Sequence, residues 1–132
     1  MKNQPSFTRV VILIGTFDAL QTTACGGSGF DPGSVSVDYD DIVQTARTLG
    51  LQVFVGTIPP IYSTFGTAAC NAQVAILNGQ IEAMAQRTGA YVVDYNSALS
   101  SATDFVATGT NTGIVPSATG YAIMQSTYAS VN

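Results

Sequence analysis

The chain of 132 residues has no histidine and no tryptophan, and only 9% of its residues are charged. Without histidine, its own residues cannot assemble a Ser-His-Asp triad or a histidine-ligated metal site. Four basic residues against eight acidic ones give a net charge of −4, which argues against the Lys/Arg patch that nucleic acid needs. We therefore expect no nucleic-acid partner and no metal site. The lack of a Gly-x-Gly-x-x-Gly fingerprint adds the expectation of no cofactor.

Long hydrophobic runs are missing too. The longest apolar run extends from Val10 to Ile14 and stops at Gly15, whereas a bilayer span needs roughly 18 residues. We expect no transmembrane segment. Residues 1–5 do not lead into the apolar core of a signal peptide. The localisation is left open by the sequence, although the charge-poor composition, rich in Ser, Thr, Gly, Asn and Gln, favours an extracellular origin.

Cysteine is scarce, with Cys25 and Cys70 alone. Two thiols permit one disulfide or two free cysteines, and they cannot form a four-cysteine zinc site. The spacing does not decide between these alternatives. A disulfide would tie the long Gly- and Ser-rich loop at 16–35 to the start of a predicted helix, and long loops in compact domains are often held by such a staple.

Strands and helices are predicted to alternate along the chain. Buried β-branched runs predict strands at 9–15, 51–57 and 90–95, and apolar residues at helical spacing predict helices at about 37–50, 68–87 and 116–132. The first run should be a strand buried on both faces. This alternation predicts an α/β fold with a parallel sheet, in a single domain over residues 1–132.

The predicted helix near residue 37 carries three carboxylates at its start. Ser36 can serve as the N-cap, which would place Asp38, Asp40 and Asp41 in the first turn, where the helix dipole favours negative charge. Their spacing lacks the Gly and the terminal Glu of a calcium loop. The inner stripes of the helices are predicted from apolar residues at helical spacing: Ile42, Ala46 and Leu49 in this helix, and Val74, Leu77, Ile81 and Met84 in the next.

Four segments resemble the conserved blocks of one enzyme family. Residues 11–18 are similar to a strand followed by Gly-x-Asn-Asp, and residues 112–121 are similar to Asp-Gly-x-His-Pro-x-x-x-Gly-Tyr. Residues 51–60 and 90–94 resemble two further strands. The chain thus resembles the SGNH, or GDSL-type, hydrolases and lipases over about residues 9–124. The resemblance implies a flavodoxin-like three-layer sandwich with a small sheet of three recognisable strands. It also implies ester or acyl hydrolysis by a serine.

The chain departs from the family pattern at the positions that carry the chemistry. It resembles only the third to fifth blocks, and the N-terminal strand–helix part with the nucleophile has no counterpart. Phe17 stands at the oxyanion-hole Asn, Thr112 at the triad Asp and Val115 at the triad His. None of these side chains can play the role implied at its position. We therefore expect no catalytic residue. If the protein is active, we expect it to be a serine ester hydrolase whose nucleophile is atypical or supplied by a partner.

The candidate cleft residues are Gly15, Thr16, Asp18 and Pro116, because ligands bind beyond the carboxyl ends of strands in open α/β sheets. Ser28 sits in the Gly-rich segment 26–30, where no strand precedes it and Phe30 replaces the last Gly of a nucleophile elbow. We interpret it as a loop serine. Asp94 follows a predicted strand and is interpreted as a turn-forming residue.

The strand that runs from Arg9 to Gly15 is expected to lie at a sheet edge, because the family strand that would pair beside it has no counterpart here. Exposed apolar edges recruit other chains, so we expect a homo-oligomer or a partner chain at this edge. The segment from Met1 to Thr8 is an alternative cover.

Three functions follow. The first is a catalytically degenerate domain with a structural or binding role. The second is an ester or acyl hydrolase with an atypical or partner-supplied nucleophile, and the third is a flavodoxin-like module that binds a small ligand.

Overall fold

The computed structural model describes residues 7–25, 27, 29, 33–62, 67–109 and 112–131, with only the backbone described at 24, 33–36 and 67. The predicted alternation of strands and helices is confirmed. Two short 3₁₀ turns lie at Thr23–Cys25 and Ala102–Asp104. The strands and α-helices follow in the order β1 (Arg9–Ile12), α1 (Thr16–Leu20), α2 (Gly33–Thr48), β2 (Gln52–Gly56), α3 (Thr67–Thr88), β3 (Tyr91–Val93), α4 (Tyr95–Ala98) and α5 (Ala118–Val131).

The three strands form one parallel sheet in the order β1-β2-β3. Val10 lies opposite Val53, and Phe54 lies opposite Tyr91. The central strand β2 is almost completely buried at Val53, Phe54 and Val55, because strands on both sides and helices on both faces exclude water. This environment explains its nearly continuous apolar sequence.

Helices cover both faces of the sheet. On one face, α2 and α3 pack Tyr39, Val43 and Val74 against the strands. On the other face, Phe54 contacts α5 through Tyr128, whose ring meets it edge-on at a centroid distance of 5.1 Å. Burial of these apolar side chains is the main favourable term that holds the layers together.

The first strand differs from its prediction. It spans four residues rather than seven, and it is not buried on both faces, since Val11 is 43% exposed. Within the described residues β1 pairs only with β2. The apolar run correctly indicated a strand, but burial depends on whether another element covers it. Here Ile12 faces the core while Val11 faces outwards.

The start of α2 also differs from its prediction. The helix begins at Gly33, so no carboxylate lies in its first turn. Asp38, Asp40 and Asp41 therefore lie further along the helix, and Asp40 accepts a hydrogen bond from Arg87 of α3 at 3.0 Å.

The buried stripe of α2 consists of Tyr39, Val43 and Ala46, whereas Ile42 and Leu49 are 44% and 74% exposed. The two stripes have the same helical period, but the observed one is set by Tyr39, which the prediction left out. Its side chain packs beneath the sheet, and its hydroxyl donates to the Ile12 carbonyl oxygen at 3.1 Å.

Helix α3 follows its prediction closely, because the predicted stripe is buried. Its members are Val74, Leu77, Ile81 and Met84. A disulfide joins Cys25 to Cys70 of this helix, which resolves the alternative that the sequence left open. None of the helices in the described part of the chain has the length and apolar character needed to span a membrane.

Candidate functional site

A cleft of about 380 Å³ lies beyond the carboxyl end of β1, the place where ligands bind in open α/β sheets. Two chain segments about 100 residues apart form its walls. The segment after β1 contributes one wall, and the segment leading into α5 contributes the other. The lining residues are Leu13, Ile14, Gly15, Thr16, Phe17, Asp18, Ile114, Val115, Pro116 and Tyr121.

Gly15 makes the turn from β1 into α1. Its φ of +108° is a left-handed conformation that L side chains rarely adopt, and a Cβ there would lie 2.8 Å from Ile58 Cδ1. The Ala19 amide then donates to the Gly15 carbonyl oxygen at 2.9 Å and starts the helix. This tight turn leaves Phe17 65% exposed and Asp18 half-buried at the edge of the cleft.

The opposite wall is held by hydrogen bonds between backbone groups. The Val106 amide donates to the Val115 carbonyl oxygen at 2.8 Å, and the Ser117 amide donates to the Asp104 carbonyl oxygen at 2.8 Å. Gly120 packs so closely that a Cβ there would collide with that same Asp104 oxygen. These contacts present Val115 and Pro116 to the cleft.

Asp104 supports this wall rather than acting as a site residue. Its carboxylate accepts a hydrogen bond from the Ser101 amide at 3.0 Å, in a capping box that closes the turn Ala102–Asp104. The side chain is buried. The role of Asp104 is therefore to close this turn.

The structure brings together all four candidate cleft residues, Gly15, Thr16, Asp18 and Pro116, and adds Phe17 and Val115 to the same cavity. Thr112 does not line it. Its hydroxyl donates to the Gly109 carbonyl oxygen at 2.7 Å within a turn. Ser28 lies outside the described residues, and its interpretation as a loop serine stays a prediction.

The chemistry of the cleft is apolar. Phe17 and Val115 have neither a proton acceptor nor a hydrogen-bond donor in their side chains, so they cannot accept a proton from a nucleophile or stabilise an oxyanion. The polar side-chain groups of the lining are the Thr16 hydroxyl, the Asp18 carboxylate and the Tyr121 hydroxyl. The described residues contain no cluster of His, Cys, Asp and Glu that could hold a metal ion.

A polar network beneath the neighbouring loop was missed by the sequence reasoning. Asn78 of α3 accepts a hydrogen bond from the Ile58 amide at 2.6 Å and donates to its carbonyl oxygen at 3.0 Å. Asn71 makes the same pair of bonds with Ile61, both at 2.8 Å. Two asparagines seven residues apart on the apolar side of α3 were the available signal, because a buried amide needs polar partners.

Asp94 is confirmed as a turn-forming residue. It caps α4 by accepting a hydrogen bond from the Ser97 amide at 3.1 Å, and it accepts another from the Thr57 hydroxyl at 3.1 Å. Burial alone would raise the pKa of Asp94. The hydrogen bonds from Ser97, Thr57 and Asn96 outweigh it, so the pKa lies below its ordinary value.

Comparison with known proteins gives the fold a family context. A family model described as the GDSL-like Lipase/Acylhydrolase family matches residues 2–123. Among curated proteins, no sequence matches the chain.

Solved structures show the same fold. A GDSL-like lipase from Bacteroides thetaiotaomicron VPI-5482 superposes with a TM-score of 0.70 at 21% identity, over 93% of this chain and 60% of that protein. Phospholipase A1 from Streptomyces albidoflavus NA297 superposes with a TM-score of 0.71 at 18% identity, over 99% of this chain and 73% of that enzyme. The chain therefore spans about three fifths of the length of the Bacteroides protein.

Proposed function

The chain belongs to the GDSL-like lipase/acylhydrolase family, and we propose that it is a catalytically degenerate member with a binding role. In this proposal, the cleft beyond β1 takes up an apolar group and does not hydrolyse an ester. The surrounding fold is the flavodoxin-like sandwich that the family resemblance implies.

The observation that carries the proposal is the presence of Phe17 and Val115 in one cleft. The family resemblance places an oxyanion-binding Asn at the first position and the catalytic His at the second. Loss of one oxyanion-hole donor alone costs about 3–4 kcal/mol of transition-state stabilisation. A serine hydroxyl without a neighbouring base is a weak nucleophile near neutral pH, and this chain has no histidine.

Binding is favoured by the same substitutions. Phe17 is 65% exposed at the cleft, and Tyr121 exposes a second aromatic ring on the opposite wall. Apolar surface that faces water gains free energy when a ligand covers it, at about 25 cal/mol per Å². The cleft volume lies in the lower part of the range of small-molecule sites, roughly 300–1,000 Å³.

Turnover of 4-nitrophenyl butyrate tests the catalytic half of the proposal. We expect no saturable rate above the buffer rate. The control is the double variant Ser28→Ala/Ser63→Ala, which removes two serines that the structure does not describe. A saturable rate that disappears in this variant would favour the hydrolase alternative and overturn the proposal.

Titration with Nile red, an uncharged apolar dye, tests the binding half. We expect a saturable rise in fluorescence, weakened about fivefold by Phe17→Ala because the exposed ring forms part of the cleft. Leu49→Ala is the control, since Leu49 is also a strongly exposed apolar residue but follows α2 and does not line the cleft. Equal effects of the two variants would show that the dye does not use the cleft.

The binding role also includes a second copy of the chain, which we propose pairs along the β1 edge. In the described sheet, the outer side of β1 has no neighbouring strand. From Val10 to Phe17 the sequence has no charge, proline or other feature that commonly protects an edge. Val11 and the neighbouring Phe7 expose their side chains there, at 43% and 78%.

The size of the exposed apolar surface is consistent with a weak dimer. The four exposed side chains of this region, Phe7, Val11, Ile14 and Phe17, offer on the order of 400 Å² per chain. Because Ile14 and Phe17 also line the cleft, a second copy of the chain and an apolar ligand would compete for them. Two copies would bury about twice this area, plus backbone, which approaches the roughly 1,000 Å² of a specific interface. Light scattering over a range of concentrations should show a concentration-dependent rise towards the mass of two chains. A constant monomer mass would overturn this part of the proposal.

A further inference from the structure

Among the described residues that line the cleft, Asp18 is the single acidic or basic one. The remaining nine lining residues are glycine, threonine, proline, tyrosine and apolar residues. Asp18 is half-buried at the edge of the cleft. A carboxylate accepts hydrogen bonds but offers none.

No cation in the described part of the chain is placed to neutralise it. Arg87 pairs with Asp40 at 3.0 Å, and Arg47 donates to the Gly89 carbonyl oxygen at 2.8 Å. Arg9 begins β1, whereas the cleft begins at Leu13, four residues further along the chain. A strand rises about 3.3 Å per residue, so the two positions are about 13 Å apart. This exceeds the Debye length of about 8 Å at physiological salt.

Because the cleft has a carboxylate and no described cation beside it, we propose that Asp18 makes the cleft selective for amphiphiles with a hydrogen-bond-donating or cationic head group. The same carboxylate disfavours anionic head groups. The inference rests on the proposed binding function. It names the ligand class of that site as a medium-length apolar chain that ends in a hydroxyl or an ammonium group. The apolar walls hold the chain, and the Asp18 carboxylate accepts the hydrogen bond of the head group.

The volume of the cleft limits the length of the ligand's apolar chain. A water molecule occupies about 30 Å³ in the liquid, so 380 Å³ corresponds to about a dozen groups of that size. An eight-carbon chain with a small head group fits this space. The hydroxyls of Thr16 and Tyr121 can donate or accept a hydrogen bond, so they serve any head group and do not discriminate between them.

Three eight-carbon probes with an apolar chain and different head groups test the selectivity: octylammonium, 1-octanol and octanoate. Each is used to displace Nile red at a concentration below that at which the probe aggregates. We expect octylammonium to bind most tightly and 1-octanol next. Octanoate should bind at least about fivefold more weakly than 1-octanol, because a like charge near a partly exposed carboxylate is disfavoured by about this factor. Salt at 0.5 M should reduce the differences between the three affinities, since it screens the interaction between the head group and the Asp18 carboxylate.

Asp18→Asn keeps the shape of the side chain and removes its charge. In this variant, octanoate should bind within about twofold of 1-octanol. Asp41→Asn is the matched control, because it makes the same change in net charge on an exposed face of α2, outside the cleft. This control should leave the order of the three affinities unchanged.

The outcomes separate the inference from the function on which it rests. Equal affinities for the three probes in the unaltered protein, or tightest binding of octanoate, would overturn the selectivity while leaving a binding cleft. Failure of all three probes to displace the dye would overturn both. If Asp18→Asn does not fold, the order of affinities and its salt dependence in the unaltered protein still decide the matter.

Discussion

Removal of the disulfide between Cys25 and Cys70 should destabilise the fold by an amount that can be worked out from the chain. The bond joins the 3₁₀ turn after α1 to the first turns of α3, and the two cysteines are 45 residues apart. Both side chains are buried. Without the bond, the denatured chain regains the conformations that the closed loop forbids, and the chain-entropy relation gives about 4 kcal/mol at 25 °C.

A loss of this size is large relative to the whole stability. Domains of this kind unfold with about 5–15 kcal/mol, so the reduced protein should be near the lower limit of cooperative folding. For a urea m value of about 2 kcal/mol per M, the unfolding midpoint should fall by about 2 M. The m value itself should rise, because the reduced denatured state exposes more surface.

Urea unfolding with and without dithiothreitol measures the effect, and the variant Cys25→Ala/Cys70→Ala provides the control. The variant should match the reduced protein and should not respond to dithiothreitol. Alanine is preferable to serine, because a hydroxyl in this buried position would lack a partner. A difference below about 1 kcal/mol between oxidised and reduced protein would refute the reasoning from chain entropy.

Two further predictions concern the first strand and its neighbour. Tyr39→Phe should cost about 1 kcal/mol in unfolding free energy, since the hydroxyl no longer donates to the Ile12 carbonyl oxygen. Burial raises the pKa of Tyr39 to about 12. The stability that this residue contributes is therefore present below pH 10 and lost as the pH rises towards 12. In urea melts from pH 8 to 12, the unaltered protein should lose its advantage over the variant, and parallel profiles would contradict this. Val11→Lys should shift the proposed β1-edge dimer towards monomer in light scattering, and a dimer that persists in the variant would contradict an interface at this edge.

The sequence predicted well those elements whose buried residues can be identified from the apolar pattern of the element itself. Helix α3 presents a regular stripe from Val74 to Met84, and the whole stripe is buried. Strand β2 is apolar on both faces, and both faces are covered. In each case the apolar positions of the sequence are the positions that the fold buries, so the local pattern is enough to predict the burial.

The errors arose where burial depends on distant parts of the chain. Val10 and Val11 are identical residues in one strand, yet they face opposite sides of the sheet, and Val10 packs against the core while Val11 is left 43% exposed. The early start of α2 at Gly33 is a separate case. A serine cap contributes only about 1 kcal/mol, so Ser36 alone does not fix the first residue of the helix.

Predicting the candidate cleft required both the periodicity of the sequence and the family resemblance. Periodicity placed Gly15 at the end of a strand and Pro116 near the start of a helix, but it could not bring these positions together. The family resemblance did so, because it treats the two motifs as parts of one site. It could not give the place of Thr112, which is set by a local turn with Gly109.

The residues that keep the family motif and those that depart from it differ in what the packing requires of them. Gly15 has no room for a side chain beside Ile58, and Gly120 has none beside the Asp104 backbone. A change at either position would disturb the fold whatever the chemistry of the cleft. Phe17 is largely exposed, and Val115 is half-buried in a wall held by its backbone. The fold therefore tolerates apolar side chains at these two positions, as the proposed binding role of the cleft requires.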